Sequence, residues 1–200
     1  MPIMSARVEI YFDVVSPASY LAWAQLPKIA ERAMAEIDWK PISLMGLFTT
    51  LGVKPPIANP AKAKYMVKDF QRCANAAGVP MSMNRHFPMN TAPIQRALEG
   101  WRHTDLFKPL LDTSFNAIWR DGANVADSAT LDELLEKAGI SADAFWSVAN
   151  DPVNKELLQS HTQEAVDRGA FGTPTFFVGD EMFFGQDRLQ FVEEALQKAG

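Results

Sequence analysis

The junction at residues 12–17 constrains this chain most, because an alternating strand pattern runs there straight into a proline-led helix start. Val8, Ile10 and Phe12 alternate with Glu9, Tyr11 and Asp13, and a period of two predicts a strand. Ser16 followed by Pro17 supplies an N-cap with proline at the first helical position, where its missing N–H costs nothing. The Ala- and Leu-rich stretch from Tyr20 to Met34 predicts a helix. Leu21, Ile29, Ala30 and Ala33 share one face, and Pro27 is expected to kink or divide it. Ile37, Trp39 and Pro41 alternate with Asp38 and Lys40, which predicts a second strand ending near Ile42. Strand, helix, strand in this order predicts a parallel pair with a right-handed crossover.

After Ser43 the character changes. Residues 52–60 (Gly-Val-Lys-Pro-Pro-Ile-Ala-Asn-Pro) read as a loop. Helical patterns follow at about Ala61–Ala77, Thr91–Trp101, Asp105–Arg120, Thr130–Ala138 and Ala142–Ala149, punctuated by Gly78, Gly100, Gly122 and Gly139. Mixed structure then returns. Val153 to Arg168 predicts a helix closed by Gly169, and Thr175–Val178 and Met182–Phe184 predict two strands around a turn at Gly179-Asp180-Glu181. Asp187 with Gln190 reads as a capping box ahead of Leu189, Val192 and Leu196 at helical spacing. At 200 residues the chain is one domain or one domain with an insertion. The expected parts are 5–43 and 152–200 for the sheet-bearing unit, with a helical insertion at 44–151.

Several function classes are excluded by composition. A hydrophobic fraction of 48% with 22% charged residues is ordinary for a folded protein and rules out disorder as the main state. The net charge of −5 offers no basic surface, so nucleic acid is not an expected partner. The single cysteine, Cys73, excludes an internal disulfide, a CxxC redox pair and a cysteine-rich zinc site. His86, His103 and His161 show no metal-ligand spacing. No apolar run approaches the ~20 residues of a membrane helix. The opening residues lack the apolar core of a signal peptide, so the expectation is a cytoplasmic protein without a membrane partner.

The order β-α-β, helices, α-β-β-α resembles a thioredoxin-like fold: an α/β protein with a mixed four-stranded sheet and an inserted all-helical domain. Phe12-Asp13-Val14-Val15-Ser16-Pro17-Ala18-Ser19-Tyr20 resembles the opening of 2-hydroxychromene-2-carboxylate isomerases and kappa-class glutathione transferases. Phe171-Gly172-Thr173-Pro174-Thr175 through Asp180 and Phe184-Gly185-Gln186-Asp187-Arg188-Leu189 resemble two further hallmarks. Lys62-Ala63-Lys64-Tyr65, Phe87 through Thr91 and Ala117-Ile118-Trp119 are similar as well, so the likeness spans essentially the whole chain. It implies a glutathione site at the mouth of the sheet, a cis bond before Pro174 and a homodimer. It also implies an activity in aromatic hydrocarbon catabolism. A glutathione thiolate adds to a conjugated, ring-opened substrate, the former double bond rotates, and elimination regenerates glutathione.

Ser16 fits two compatible roles, an N-cap and a donor to a bound thiolate; no histidine motif ties it to a base, so it is not expected to be a nucleophile. A thiol with pKa ~8.5 needs a shift of about 1.5 units, roughly 2 kcal/mol, for half ionisation at neutral pH. A helix N-terminus contributes about 0.3–2 kcal/mol and a hydrogen bond to a charged group about 1.5–3 kcal/mol, which together suffice. The resemblance pairs Thr173 with the glutathione backbone, counts Pro174 and Phe184 among the glutathione-binding residues, and places Gln186, Asp187 and Arg188 around the γ-glutamyl end and Lys62 near the ligand; Thr173-Pro174 also suits an ordinary turn into a strand. Asp187 is equally a cap and Lys62 equally a solvated lysine. For an aromatic co-substrate it points to Asn59, Asn90 and Trp119, although Asn90 also suits a helix cap and Trp119 also suits the core. Cys73 reads as an inert core thiol.

Two departures matter. Val53 stands where kappa-class transferases carry an asparagine. The isomerases carry a lysine near the position of Phe48 and an Asn-Arg pair near Asn59-Pro60, groups that hold an anionic substrate. The leading expectation is a glutathione-dependent 2-hydroxychromene-2-carboxylate isomerase. The alternatives are a kappa-like transferase or peroxidase that consumes glutathione and a non-catalytic binding module. Disulfide exchange is disfavoured because Ser16 and Ser19 replace the cysteines it needs.

Overall fold

In the computed structural model, residues 6–200 are described. The expectation of no leader therefore falls partly on residues 1–5, which lie outside the described residues, as does Ser5 at the start of the first expected part. Strand β1 (Arg7–Phe12) leads through Ser16 into helix α1 (Pro17–Arg32) and parallel strand β2 (Glu36–Pro41). Helices α2 (Leu44–Leu51), α3 (Pro60–Ala77), α4 (Ala92–Gly100), α5 (Phe107–Trp119), α6 (Ser128–Lys137) and α7 (Ala142–Ala149) follow. Helix α8 (Pro152–Asp167), strands β3 (Thr175–Val178) and β4 (Glu181–Phe184), and helix α9 (Leu189–Ala199) complete the chain. The sheet order is β2-β1-β3-β4, with β3 antiparallel to both neighbours. This is the thioredoxin-like mixed sheet with helices inserted between β2 and α8.

The period-two reading of β1 becomes two differently filled faces. Val8, Ile10 and Phe12 enter the main core with Phe176, Val178 and the inner faces of α1, α4 and α5. Tyr11 points the other way and packs with Phe177, Ile42, Leu47 and Phe48 beneath α2 and α8. On that second face Lys40 bridges Glu9 (2.6 Å) and Glu164 (2.8 Å), and the Tyr11 hydroxyl donates to Glu164 (2.7 Å). Burial acts against the Lys40 ammonium, but its hydrogen bonds to Glu164, Glu9 and Tyr11 outweigh that and raise its pKa.

Four local expectations are corrected. Helix α1 is not divided at Pro27, which stands on the solvent face, where water can replace its missing bond. Leu44–Leu51 forms a helix where none was expected, capped by Ser43, whose Oγ accepts from Gly46 N (3.0 Å). The hairpin turn is Gly179-Asp180 alone, since Glu181 already pairs with Val178. Asp187 caps nothing: Gln186–Arg188 is a 3-10 turn, and the Asp187 carboxylate pairs with Arg188 (2.7 Å) instead.

Candidate active site

The C-terminal end of β1 is held by a buried polar clamp that the sequence did not announce. The Gln95 amide on α4 donates to Phe12 O (3.0 Å) and Ile42 O (2.8 Å) and accepts from Val14 N (3.3 Å). Asp13 accepts from Val15 N (3.1 Å), Leu44 N (3.0 Å) and Thr91 Oγ1 (2.9 Å). Burial pushes the Asp13 carboxyl pKa up, against the pull of those three donors. Trp119 Nε1 donates to Val14 O (2.8 Å). These bonds fix the turn that presents Ser16.

Ser16 is the N-cap of α1. Its Oγ accepts from Ser19 N (3.2 Å) and donates to Thr173 O (3.1 Å), so the helix start and the segment before β3 meet at one hydroxyl. The Thr173–Pro174 bond is cis, as the resemblance implied; Phe87–Pro88, for which no isomer was expected, is cis as well. Pro174 is buried behind Thr173, and its carbonyl accepts from Gly185 N (2.9 Å). In front of them opens a cavity of about 640 Å³, within the ~300–1,000 Å³ range of ligand clefts. Its walls come from the α1 start, α2, the first half of α3, residues 83–95 and the Phe171–Thr173 segment.

This geometry brings Ser16, Thr173, Lys62, Asn90 and Phe184 to one cavity. The other expected site residues do not line it. Asn59 is the N-cap of α3, accepting from Ala61 N (3.1 Å) and Lys62 N (3.2 Å). Trp119 is fully buried behind Val14, and the ring against the ligand space is Phe87, whose centroid lies 5.5 Å from that of Trp119. Gln186, Asp187 and Arg188 lie beyond Phe184, outside the lining. Sequence reasoning missed Asp13, Gln95 and the α2 wall with Met45. Only Asp13 carried a signal, as a charge beside the helix start in the first motif.

The unfilled hydrogen-bonding capacity tests whether glutathione fits. The Ala18 amide, in the first turn of α1 on the cavity wall, has no partner among the described residues. Thr173 Oγ1 is buried without a partner. A buried group such as Thr173 Oγ1 is costly unless a partner completes it, and the Ala18 amide is a free first-turn N–H of α1. Together with the Ser16 hydroxyl they form a donor set for an anion at a helix start, and Thr173 O is an acceptor for a peptide N–H. The residues present therefore fit a peptide-like thiol. Among the described residues no group of three metal-ligating side chains exists, and no helix is long and apolar enough to cross a membrane.

Residues 7–197 match the model of the DSBA-like thioredoxin domain. A 2-hydroxychromene-2-carboxylate isomerase of Sphingobium xenophagum is 30% identical over 96% of this chain and 99% of its own length. This chain belongs to the 2-hydroxychromene-2-carboxylate isomerase family within the DSBA-like domain. A solved isomerase of that name superposes with a TM-score of 0.85 at 29% identity, covering 96% of this chain and 95% of the other. The glutathione S-transferase kappa 1 of Rattus norvegicus is a more distant relative, 25% identical over 92% of this chain and 88% of its own. The family member described here is thus an isomerase-type enzyme on a thioredoxin-like scaffold, related to the kappa-class transferases.

Proposed function

We propose that this enzyme is a cytoplasmic, homodimeric, glutathione-dependent isomerase. It would interconvert the cis and trans forms of a conjugated aromatic catabolite of the 2-hydroxychromene-2-carboxylate type. The observation that carries this reading is the Ser16 hydroxyl at the start of α1, hydrogen-bonded to Thr173 O on the wall of a ligand-sized cavity. Bound there, glutathione would supply a thiolate nucleophile for reversible addition to the conjugated double bond, held by Ser16, Thr173 and Lys62.

The chain's own residues have distinct tasks. Ser16 turns its O–H from Thr173 O to the sulfur, which frees that carbonyl for a peptide N–H of the ligand. The Ala18 amide and the α1 dipole add to the stabilisation of negative charge. Lys62 donates to a carboxylate of the ligand, and Thr173 Oγ1 gains its missing partner. Met and Phe side chains exclude water from the reacting carbon.

Calorimetric titration of glutathione into the wild type and Ser16→Ala near neutral pH tests the site. Saturable binding with proton release, the release reduced in the variant, is expected. Glutathione consumption during turnover separates the isomerase from a transferase: the isomerase returns it unchanged. Saturable binding with no rate on any conjugated substrate would leave only a binding module.

A further inference from the structure

The carboxylate of the proposed co-substrate needs a cation at the cavity, and Lys62 is the one lysine or arginine in its lining. Glutathione in its thiolate form already brings two carboxylates and a thiolate against one ammonium, so Lys62 has a partner in the cofactor. Much of the remaining wall is apolar, with Met45, Met66, Met83, Met89 and five phenylalanines, and a carboxylate buried there without a cation is strongly unfavourable. Four further cations adjoin lining residues in sequence: Lys54, Lys64, Lys68 and Arg96. Neither these nor Lys62 makes an ion pair among the described residues. Their placement separates them. Lys64 and Lys68 are exposed, and on a regular helix they stand about 130° and about 170° from the middle of the α3 face that carries Lys62, Ala63, Met66, Val67 and Phe70. Lys54 is exposed in the loop ahead of Pro55.

Arg96 differs from all three. It is half-buried on α4, and its Nε donates to the carbonyl of Ala92, a lining residue one turn back (3.3 Å). Helical side chains lean toward the N-terminus, so this bond lays the guanidinium along the turn that borders the cavity. With Nε used, Nη1 and Nη2 have no partner among the described residues, and they form the fork that a carboxylate fills with two bonds. Asn90 meets the same residue through its N–H: Oδ1 accepts from Ala92 N (3.0 Å), which leaves Nδ2 as the free end of an amide on the cavity wall. Resting on the isomerase reading above, we propose that Arg96 selects the co-substrate by its carboxylate. Its outer nitrogens take that group at the α4 edge of the cavity, on the side where Asn90 offers Nδ2, while Lys62 serves glutathione.

The test compares wild type, Arg96→Gln and Arg96→Lys, each as the whole protein saturated with S-methylglutathione, which occupies the thiol site without reacting. Calorimetry with 2-hydroxychromene-2-carboxylate and with its methyl ester isolates the one charge. Arg96→Gln is expected to weaken the acid about tenfold or more, the cost of a lost hydrogen bond to a charged group, and to leave ester affinity unchanged. Arg96→Lys keeps the charge without the fork and is expected to recover part of the loss. The affinity for S-methylglutathione itself is expected to stay the same in both variants, which also reports that they fold. In turnover with glutathione the loss is expected in KM rather than kcat, because the carboxylate keeps its charge through the reaction. An acid affinity unchanged in Arg96→Gln, an ester weakened as much as the acid, or a weakened S-methylglutathione overturns the assignment of Arg96, as does a wild type that binds no acid. Glutathione-dependent isomerisation with acid binding independent of Arg96 leaves the isomerase reading standing and removes this inference. Arg96-dependent binding of the acid with no glutathione-dependent turnover does the reverse.

Discussion

Ser16 has one proton to donate, and that proton goes to Thr173 O. Replacing Ser16 by Ala removes a charge-stabilising hydrogen bond of about 1.5–3 kcal/mol, so turnover is expected to fall roughly 10- to 100-fold. The ultraviolet absorbance of the bound thiolate, followed against pH, should show its ionisation moved to higher pH. The same variant loses an N-cap, at a cost of about 1 kcal/mol in stability, so thermal unfolding must be measured beside the kinetics. Asp13 provides a second prediction. Its buried carboxyl has a pKa above the ordinary carboxylate value. The stability this group contributes is therefore full below its unfolded pKa and is lost as pH rises through the folded one. Asp13→Asn abolishes that dependence. Urea unfolding of the two proteins from about pH 4 to about pH 7 should show the variant's deficit largest in acid and shrinking toward neutrality. A deficit that grows toward neutrality would refute this account.

At the level of elements, α4 is the piece that locks the inserted helices to the sheet. Gln95→Ala would leave Phe12 O, Ile42 O and Val14 N buried without partners, a loss of about 3–5 kcal/mol readable as a lower urea midpoint. Gly100 ends the same helix where a Cβ would come within 2.4 Å of Val148 and 2.5 Å of Asn154, so Gly100→Ala should cost about 1–3 kcal/mol through overpacking against α7 and α8. What could be read beforehand follows from the physics of each element. β1 and β2 were legible because alternation reports a sheet, and α1 because Ser16-Pro17 is a local start signal. Helix α2 was not: Leu-Met-Gly-Leu-Phe-Thr-Thr-Leu is only eight residues long and mostly apolar, too short for its pattern to tell a helix from a buried strand. Gln95 reads like any polar helical residue, because its burial is decided by groups 53 to 83 positions away in the chain. Trp119 was open between pocket wall and core, and only the position of Phe87 in front of it decides.

For the whole molecule, the main core draws on β1, α1 and α9 and equally on α4, α5, α6 and α7. Sheet and inserted helices therefore share one interior. Thermal unfolding followed by far-ultraviolet circular dichroism and by tryptophan fluorescence should give one coincident transition. Two separated transitions would show the insertion to be an independent unit. The cavity divides its walls unevenly along the chain. Ser16, Ala18 and Thr173 are supplied by the sheet framework, whereas Met45, Met66, Met83, Met89 and Asn90 lie within residues 45–90. One uninterrupted stretch of gene thus writes most of the cavity wall, and separate stretches write the groups proposed to surround the sulfur. Lineages carrying this scaffold can exchange one substrate for another by drift within that stretch while the inherited nucleophile site stays untouched.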